Sequence, residues 1–289
     1  MRPLSANFCG VLTIIMWSVS ALLISYTGKV PAFLLASMVF GICSAIYLVK
    51  WAINKEKFWH YFYMSKKAYI TVVCGVGGYI SFYYMAFKMA PAMEVNLLNY
   101  LWPILMVITS AVILKNKLLG YQFLGIILGF IGVFLIFAKE QKLALNLDYL
   151  LGYIFAVAGA LIWSIYSVVT RKIIFTPNNM AVFNIIFSIL FFVMHKIFEN
   201  TVYPNGSEWC GVILLGFTTT SYMLWDYAMK KGDVEFLVSL SYFIPLFSTL
   251  LLGVFYSRDL SVNIFWSAVF ILSGCLIVNY KKIMKFFKI

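Results

Sequence analysis

The sequence predicts an all-α membrane protein of ten transmembrane helices, arranged as two inverted five-helix repeats around a central cavity. Its composition, ten apolar runs of bilayer length and a second half that echoes the first lead to that expectation. Hydrophobic residues fill 63% of the 289 positions and charged residues 11%, and the mean hydropathy is +0.94. A soluble domain carries about 25% charged residues, so most of this surface is built for a solvent other than water. About 20 apolar residues span a hydrocarbon core roughly 30 Å thick at about 1.5 Å per residue. Such runs fall at 7–27, 31–50, 68–88, 92–114, 119–138, 150–170, 180–198, 209–229, 234–255 and 263–280. Barrel strands would be about ten residues long with alternating polarity, a pattern the sequence does not contain.

In chain order, the first run follows one basic residue, Arg2, has no small-residue cleavage site, and leads straight into the second. It is therefore read as a span and not as a signal peptide. The connection 51–67 is the longest and too short for a soluble domain. Gly75, Gly77 and Gly78 on the third run and Gly125, Gly129 and Gly132 on the fifth are expected to permit close helix contact. The fourth and ninth runs carry mid-span prolines, Pro103 and Pro245. Each removes one helical hydrogen bond and bends its helix, as a hinge with a freed carbonyl or as a static packing kink.

Lysine and arginine set the expected orientation. With the N-terminus cytoplasmic, that side receives Arg2, Lys50, Lys55, Lys57, Lys66, Lys67, Lys115, Lys117, Arg171, Lys172, Lys230, Lys231, Lys281, Lys282, Lys285 and Lys288. The other side keeps Lys29, Lys88, Lys139, Lys142, Lys196 and Arg258. Both termini are thus expected in the cytoplasm, and the net charge of +12 is topological, not a nucleic-acid footprint. The five cysteines lie in or at the ends of spans without a CxxC pair, and only His60 and His195 are available as imidazole ligands. No metal, cofactor, disulfide framework or phosphate loop is expected.

An offset of 142 sets YYMAFKMAPAMEVNLLNYLWP over WDYAMKKGDVEFLVSLSYFIP, matching Pro103 with Pro245, Tyr100 with Tyr242 and Lys88 with Lys230. The same offset carries Gly132 onto Gly274 and Lys139 onto Lys281, and with four residues of slippage WSVS at 17–20 meets WSIY at 163–166. The repeats are expected to be 1–142 and 143–289. Five spans is an odd number, so the second copy enters the membrane in the opposite sense to the first, and a substrate would lie between the two.

Polar and aromatic residues gather at mid-depth. Trp17, Trp102 and Trp163 lie near span centres, although tryptophan favours interfaces; each is either cavity lining or packing. Tyr79 and Tyr83 share a face of the third run, and Asn96, Asn99, Tyr100 and Pro103 form a stripe on the fourth. Tyr166, Thr218, Tyr222 and Tyr242 complete the set. Polar groups facing lipid are costly, so these residues are expected to turn inward and hold a flat, partly apolar small molecule. No arginine lies deep enough to clamp a phosphate. Glu94 lies nine residues before Pro103, about 13 Å along a helix axis. It is read as half of a clasp with Lys88, repeated by Lys230 and Glu235, or else as a proton carrier. Asp226 is read as a solvated vestibule residue or as a second coupling candidate.

EVNLLNYLWP at 94–103, ALIWSIYSVVTRK at 160–172, SYMLWDYAMKKGD and SYFIPLFSTLL resemble the EamA-type transporters of the drug/metabolite transporter superfamily. The NYLWP run and the paired tryptophans are similar to its bacterial aromatic amino acid exporters. That resemblance implies a bacterial inner-membrane carrier working by alternating access, with Trp17, Asn99, Tyr100, Trp102, Trp163 and Tyr242 in the cavity lining. Many relatives have glutamate where this chain has Lys117 and Asp259, and the exporters tend to have asparagine at Asp226, which bears on energy coupling. The expected partners are a small-molecule substrate and the lipid bilayer, with a monomer as the functional unit. The alternative is uptake or exchange of another metabolite or drug-like compound by the same fold. An enzyme would need acids, bases or metal ligands converging at one depth, and a structural subunit would need a polar lipid-facing stripe.

Overall fold

A computed structural model of the chain describes residues 3–115, 119–137, 146–174, 176–256 and 262–286. Arg2, Lys117, Lys139, Lys142, Arg258, Asp259, Lys288 and the repeat boundary expected at 142/143 lie outside the described residues. Every regular element among the described residues is helical. Span 1 is Pro3–Ser25, span 2 Ala32–Ile53, and span 3 Lys66–Met89 with a π-helical turn at Val73–Gly77. Span 4 is Ala92–Asn99 followed by Trp102–Leu114, span 5 Gly120–Phe137, span 6 Leu147–Lys172 and span 7 Pro177–Phe198. Span 8 is Glu208–Thr218 followed by Ser221–Lys231, span 9 Val234–Ser241 followed by Phe243–Phe255, and span 10 Val262–Phe286.

Among the described residues, nine spans are long and apolar enough to cross a membrane. Span 8 is more polar than its sequence run suggests, because its second helix, SYMLWDYAMKK, carries Asp226, Lys230 and Lys231 and is separated from the first by Thr219 and Thr220. Large apolar side chains such as Ile70, Val112, Leu214, Val254 and Phe265 cover the outside. The chain is a multi-pass membrane protein.

Proline explains where spans 4 and 9 break. Its ring clashes with the carbonyl four residues earlier and its nitrogen has no proton to donate. For Pro103 that carbonyl belongs to Asn99 and for Pro245 to Ser241, which are the residues where Ala92–Asn99 and Val234–Ser241 end. The breaks in spans 3 and 8 have no proline. Span 3 widens into its π turn through Gly77, and the offset of 142 carries Gly77 onto Thr219, the break in span 8. The duplication is therefore written into the helix interruptions as well as into matched residues.

Packing between spans keeps the same symmetry. Span 2 packs on span 7 and span 5 on span 10, each against its own counterpart. Span 3 packs on span 6 as span 8 packs on span 1, and span 4 on span 6 as span 9 on span 1. Spans 5 and 10 meet backbone to backbone. A Cβ on Gly274 would fall 2.3 Å from the Gly125 carbonyl oxygen and 2.8 Å from the Gly129 nitrogen. Gly274→Ala should therefore force the two helices apart and cost about 1–3 kcal/mol of stability. Gly120→Ala, with nothing within 4 Å, should stay within about 0.5 kcal/mol. Thermal unfolding of the two variants in detergent checks the difference.

Candidate functional site

The centre of the bundle is a cluster of aromatic rings contributed by both repeats. Trp163 of span 6 is the hub, with ring centroids 5.7 Å from Trp17, 5.1 Å from Tyr79, 5.4 Å from Tyr166, 5.9 Å from Tyr222 and 6.4 Å from Trp225. Trp17 lies 5.1 Å from Trp225 and 6.1 Å from Tyr222, and Trp102 meets Trp225 edge-on at 5.8 Å. Tyr83 stacks on Tyr79 at 5.6 Å. These spacings are those of favourable edge and offset contacts, which fix ring orientation as well as burying area. Gly75 makes the close approach possible, because a Cβ there would fall 2.5 Å from the Tyr166 ring.

Several polar tips are satisfied across spans. Trp17 Nε1 donates to Ser221 Oγ at 2.9 Å, and Trp225 Nε1 to Ser167 Oγ at 3.1 Å. Ser164 Oγ donates to the Trp102 carbonyl at 2.8 Å, and the Tyr83 hydroxyl donates to Asn96 Oδ1. Asn99 Nδ2 donates weakly to the Tyr79 hydroxyl at 3.4 Å, while Asn99 Oδ1 and the Tyr242 hydroxyl are buried without a protein partner. Thr218 turns its hydroxyl back to Leu215 of its own helix at 2.9 Å.

Trp17, Tyr79, Tyr83, Trp102, Trp163, Tyr166 and Tyr222 thus come together. Tyr100 and Tyr242, the pair matched by the repeat, flank span 5: the Tyr100 ring lies 6.2 Å from Phe137, and Tyr242 covers Gly129. Pro103 and Pro245 are both buried at the bends. Sequence reasoning missed Trp225, which is fully buried at the heart of the cluster. Its signal was present, since it stands three residues after Tyr222 on the same helical face.

Charged residues sit beyond the rings at each end. The expected clasp between Lys88 and Glu94 does not form. Glu94 accepts a hydrogen bond from the Tyr153 hydroxyl, and Lys88 Nζ lies 3.5 Å from Glu199 Oε1. Span 7 supplies the competing partner for Lys88. Glu199, at its end, also caps span 2 by accepting from the Phe33 and Leu34 amides, and it meets buried His195 at 3.0 Å. In the second repeat, Lys230 pairs with Asp226 at 2.8 Å, one helical turn away, not with Glu235. Asp226 is 6% exposed and also accepts from the Thr170 hydroxyl of span 6, so it is no solvated vestibule residue.

Two related halves with facing helix breaks, a ring-lined centre and a lipid-facing apolar exterior define a membrane transporter. The chain belongs to the EamA-like transporter family, whose sequence model matches residues 4–138 and 150–280. It is 36% identical over 258 residues to a protein named aromatic amino acid exporter YddG from Ancylobacter novellus, covering 88% of this chain and 90% of that one. The protein of the same name from Escherichia coli strain K12 is 27% identical over 201 residues, covering 64% of this chain and 66% of the other. A solved crystal structure at 32% identity superposes with a TM-score of 0.88 over 96% of this chain and 98% of that chain.

Removing one partner of a buried ion pair leaves the other charge uncompensated, at a cost of about 3–5 kcal/mol. Asp226→Ala should therefore destabilise strongly, whereas Asp226→Asn combined with Lys230→Gln should recover most of the loss. A double-mutant cycle by thermal melting in detergent measures the coupling.

Proposed function

We propose that the protein carries aromatic amino acids across the bacterial inner membrane by alternating access, in the direction of export and with both termini in the cytoplasm. The observation that carries this reading is the ring cluster shared by spans 1, 3, 6 and 8, where Trp17, Tyr79, Trp163, Tyr222 and Trp225 lie within stacking distance. A flat side chain inserted among such rings exchanges ring contacts for ring contacts, which suits aromatic solutes better than sugars or ions. The names of the relatives support both the substrate class and the direction. The orientation rests on the lysine and arginine bias along the chain.

In this reading Trp17, Tyr79, Tyr83, Trp102, Trp163, Tyr166 and Tyr222 surround the substrate ring, and Asn99, Tyr100 and Tyr242 line the neighbouring wall. Pro103 and Pro245 are the flexing points, since the helices already end there. Glu94 and Asp226 are the candidates for coupling flux to protons.

The test is flux of labelled phenylalanine, tyrosine and tryptophan in proteoliposomes, with and without a pH gradient. Saturable flux of at least one of the three is expected. Flux of another solute with none for these would overturn the substrate class. In protein that still folds, Trp163→Ala should cut flux by about tenfold or more, because the substrate loses the ring it would stack on, and a ring–ring contact is worth about 0.5–1.5 kcal/mol beyond the area it buries. Trp163→Phe should keep part of it.

A further inference from the structure

An aromatic amino acid at neutral pH is a zwitterion, and its ammonium and carboxylate lose water on entering the bundle. Unless each meets an opposite charge or good hydrogen-bond partners, the transfer is strongly unfavourable. The ring cluster can satisfy the side chain but offers no countercharge.

Two acids at the far end of the bundle from the termini are committed elsewhere. Glu94 holds the Tyr153 hydroxyl, and Glu199 holds Lys88, His195 and the first amides of span 2. At the end carrying the termini, Asp226 follows directly on the buried ring of Trp225, and its Oδ2 lies 2.8 Å from Lys230 Nζ. The two side chains are only 9% and 13% exposed. Tyr166 stands 5.4 Å from Trp163, and Thr170, four residues further along, donates its hydroxyl to Asp226, so this segment connects the pair to the rings. Residues four apart on a helix project side by side, so one acid and one base are presented together at the edge of the aromatic cluster. An amino acid likewise presents its ammonium and carboxylate on one carbon atom.

We infer that Asp226 and Lys230 form the polar subsite for the zwitterionic head of the substrate, an inference that rests on the aromatic amino acid reading above. On binding, the pair opens: the substrate ammonium donates to the Asp226 carboxylate, and Lys230 donates to the substrate carboxylate. The substrate ring stays against Trp17, Trp163 and Trp225. Without substrate the two side chains satisfy one another, so no charge is left uncompensated in either state. Thr170, donating to Asp226 Oδ1 from span 6, keeps the carboxylate oriented during the exchange.

Competition binding to the purified protein tests this with three ligands: tryptophan, tryptamine, which lacks the carboxylate, and indole-3-propionate, which lacks the ammonium. The wild-type chain should bind tryptophan about tenfold or more tighter than either analogue, the worth of one charge-assisted contact. Lys230→Gln should abolish the preference over tryptamine and keep that over indole-3-propionate. Asp226→Asn should do the reverse, and the double variant, which retains a neutral hydrogen-bonding pair, should bind all three within about threefold. A pair that only locks spans 6 and 8 together would leave the ratios between ligands unchanged in every variant, and that result overturns the inference. Equal binding of all three by the wild-type chain overturns it without any variant, so a misfolded mutant does not rescue it. If the wild-type chain binds none of the three, the aromatic reading fails as well. Wild-type tryptophan binding with unaltered ratios in the variants removes the subsite alone.

Discussion

Every N–H and C=O that a span leaves unbonded within its own helix has to be met inside the protein, because hydrocarbon offers no partner. This chain breaks four of its spans and so has to meet that demand four times. Hydroxyls near the breaks donate to carbonyls: Ser81 to Gly77, Ser164 to Trp102, Thr219 to Leu215 and Ser241 to Val238, at 2.6–2.8 Å. Because hydrocarbon offers interrupted backbone no partner, the breaks face protein, and the neighbouring side chains face protein with them. That is why Trp102, Trp225 and Tyr242 are buried while Val112 and Val254, further along spans 4 and 9, lie against lipid.

The rings follow from the same geometry. A bent or widened helix opens space at mid-depth, and the wide side chains of Trp163, Tyr166 and Trp225 fill it. The indole N–H groups of Trp17 and Trp225 are met by serines on a neighbouring span, Ser221 and Ser167. Small hydroxyls thus do two tasks, bonding carbonyls near the breaks and orienting indoles. Charge is left to the ends of the bundle, where Lys88, His195 and Glu199 tie spans 2, 3 and 7 together and Asp226, Lys230 and Thr170 tie span 8 to span 6. The two networks differ although the repeats that carry them are related, which gives the molecule chemically distinct ends.

Much of the fold was legible because it rests on local rules. Span lengths follow from apolar runs, the ends at Asn99 and Ser241 from Pro103 and Pro245, and the duplication from residues matched at an offset of 142. The eighth span was the exception: its apolar count is diluted by Asp226, Lys230 and Lys231, and packing against spans 1, 2 and 6 holds its two short helices in place. The candidate site was legible in part. Trp17, Tyr79, Trp163 and Tyr222 could be picked out by depth, whereas Trp225 was hidden beside a more conspicuous aspartate.

By itself the sequence determined a helical membrane protein, its spans, its inverted repeat and the residues able to form an aromatic centre, because hydrophobic length, proline geometry and repetition act along the chain. Partner choice was decided only in the tertiary structure. Lys88 and Glu94 are near neighbours in sequence, yet Glu199 and Tyr153, distant in sequence, take them. A charge leaving water takes the best-placed opposite group within reach, and which group that is depends on how spans from both repeats are laid against one another.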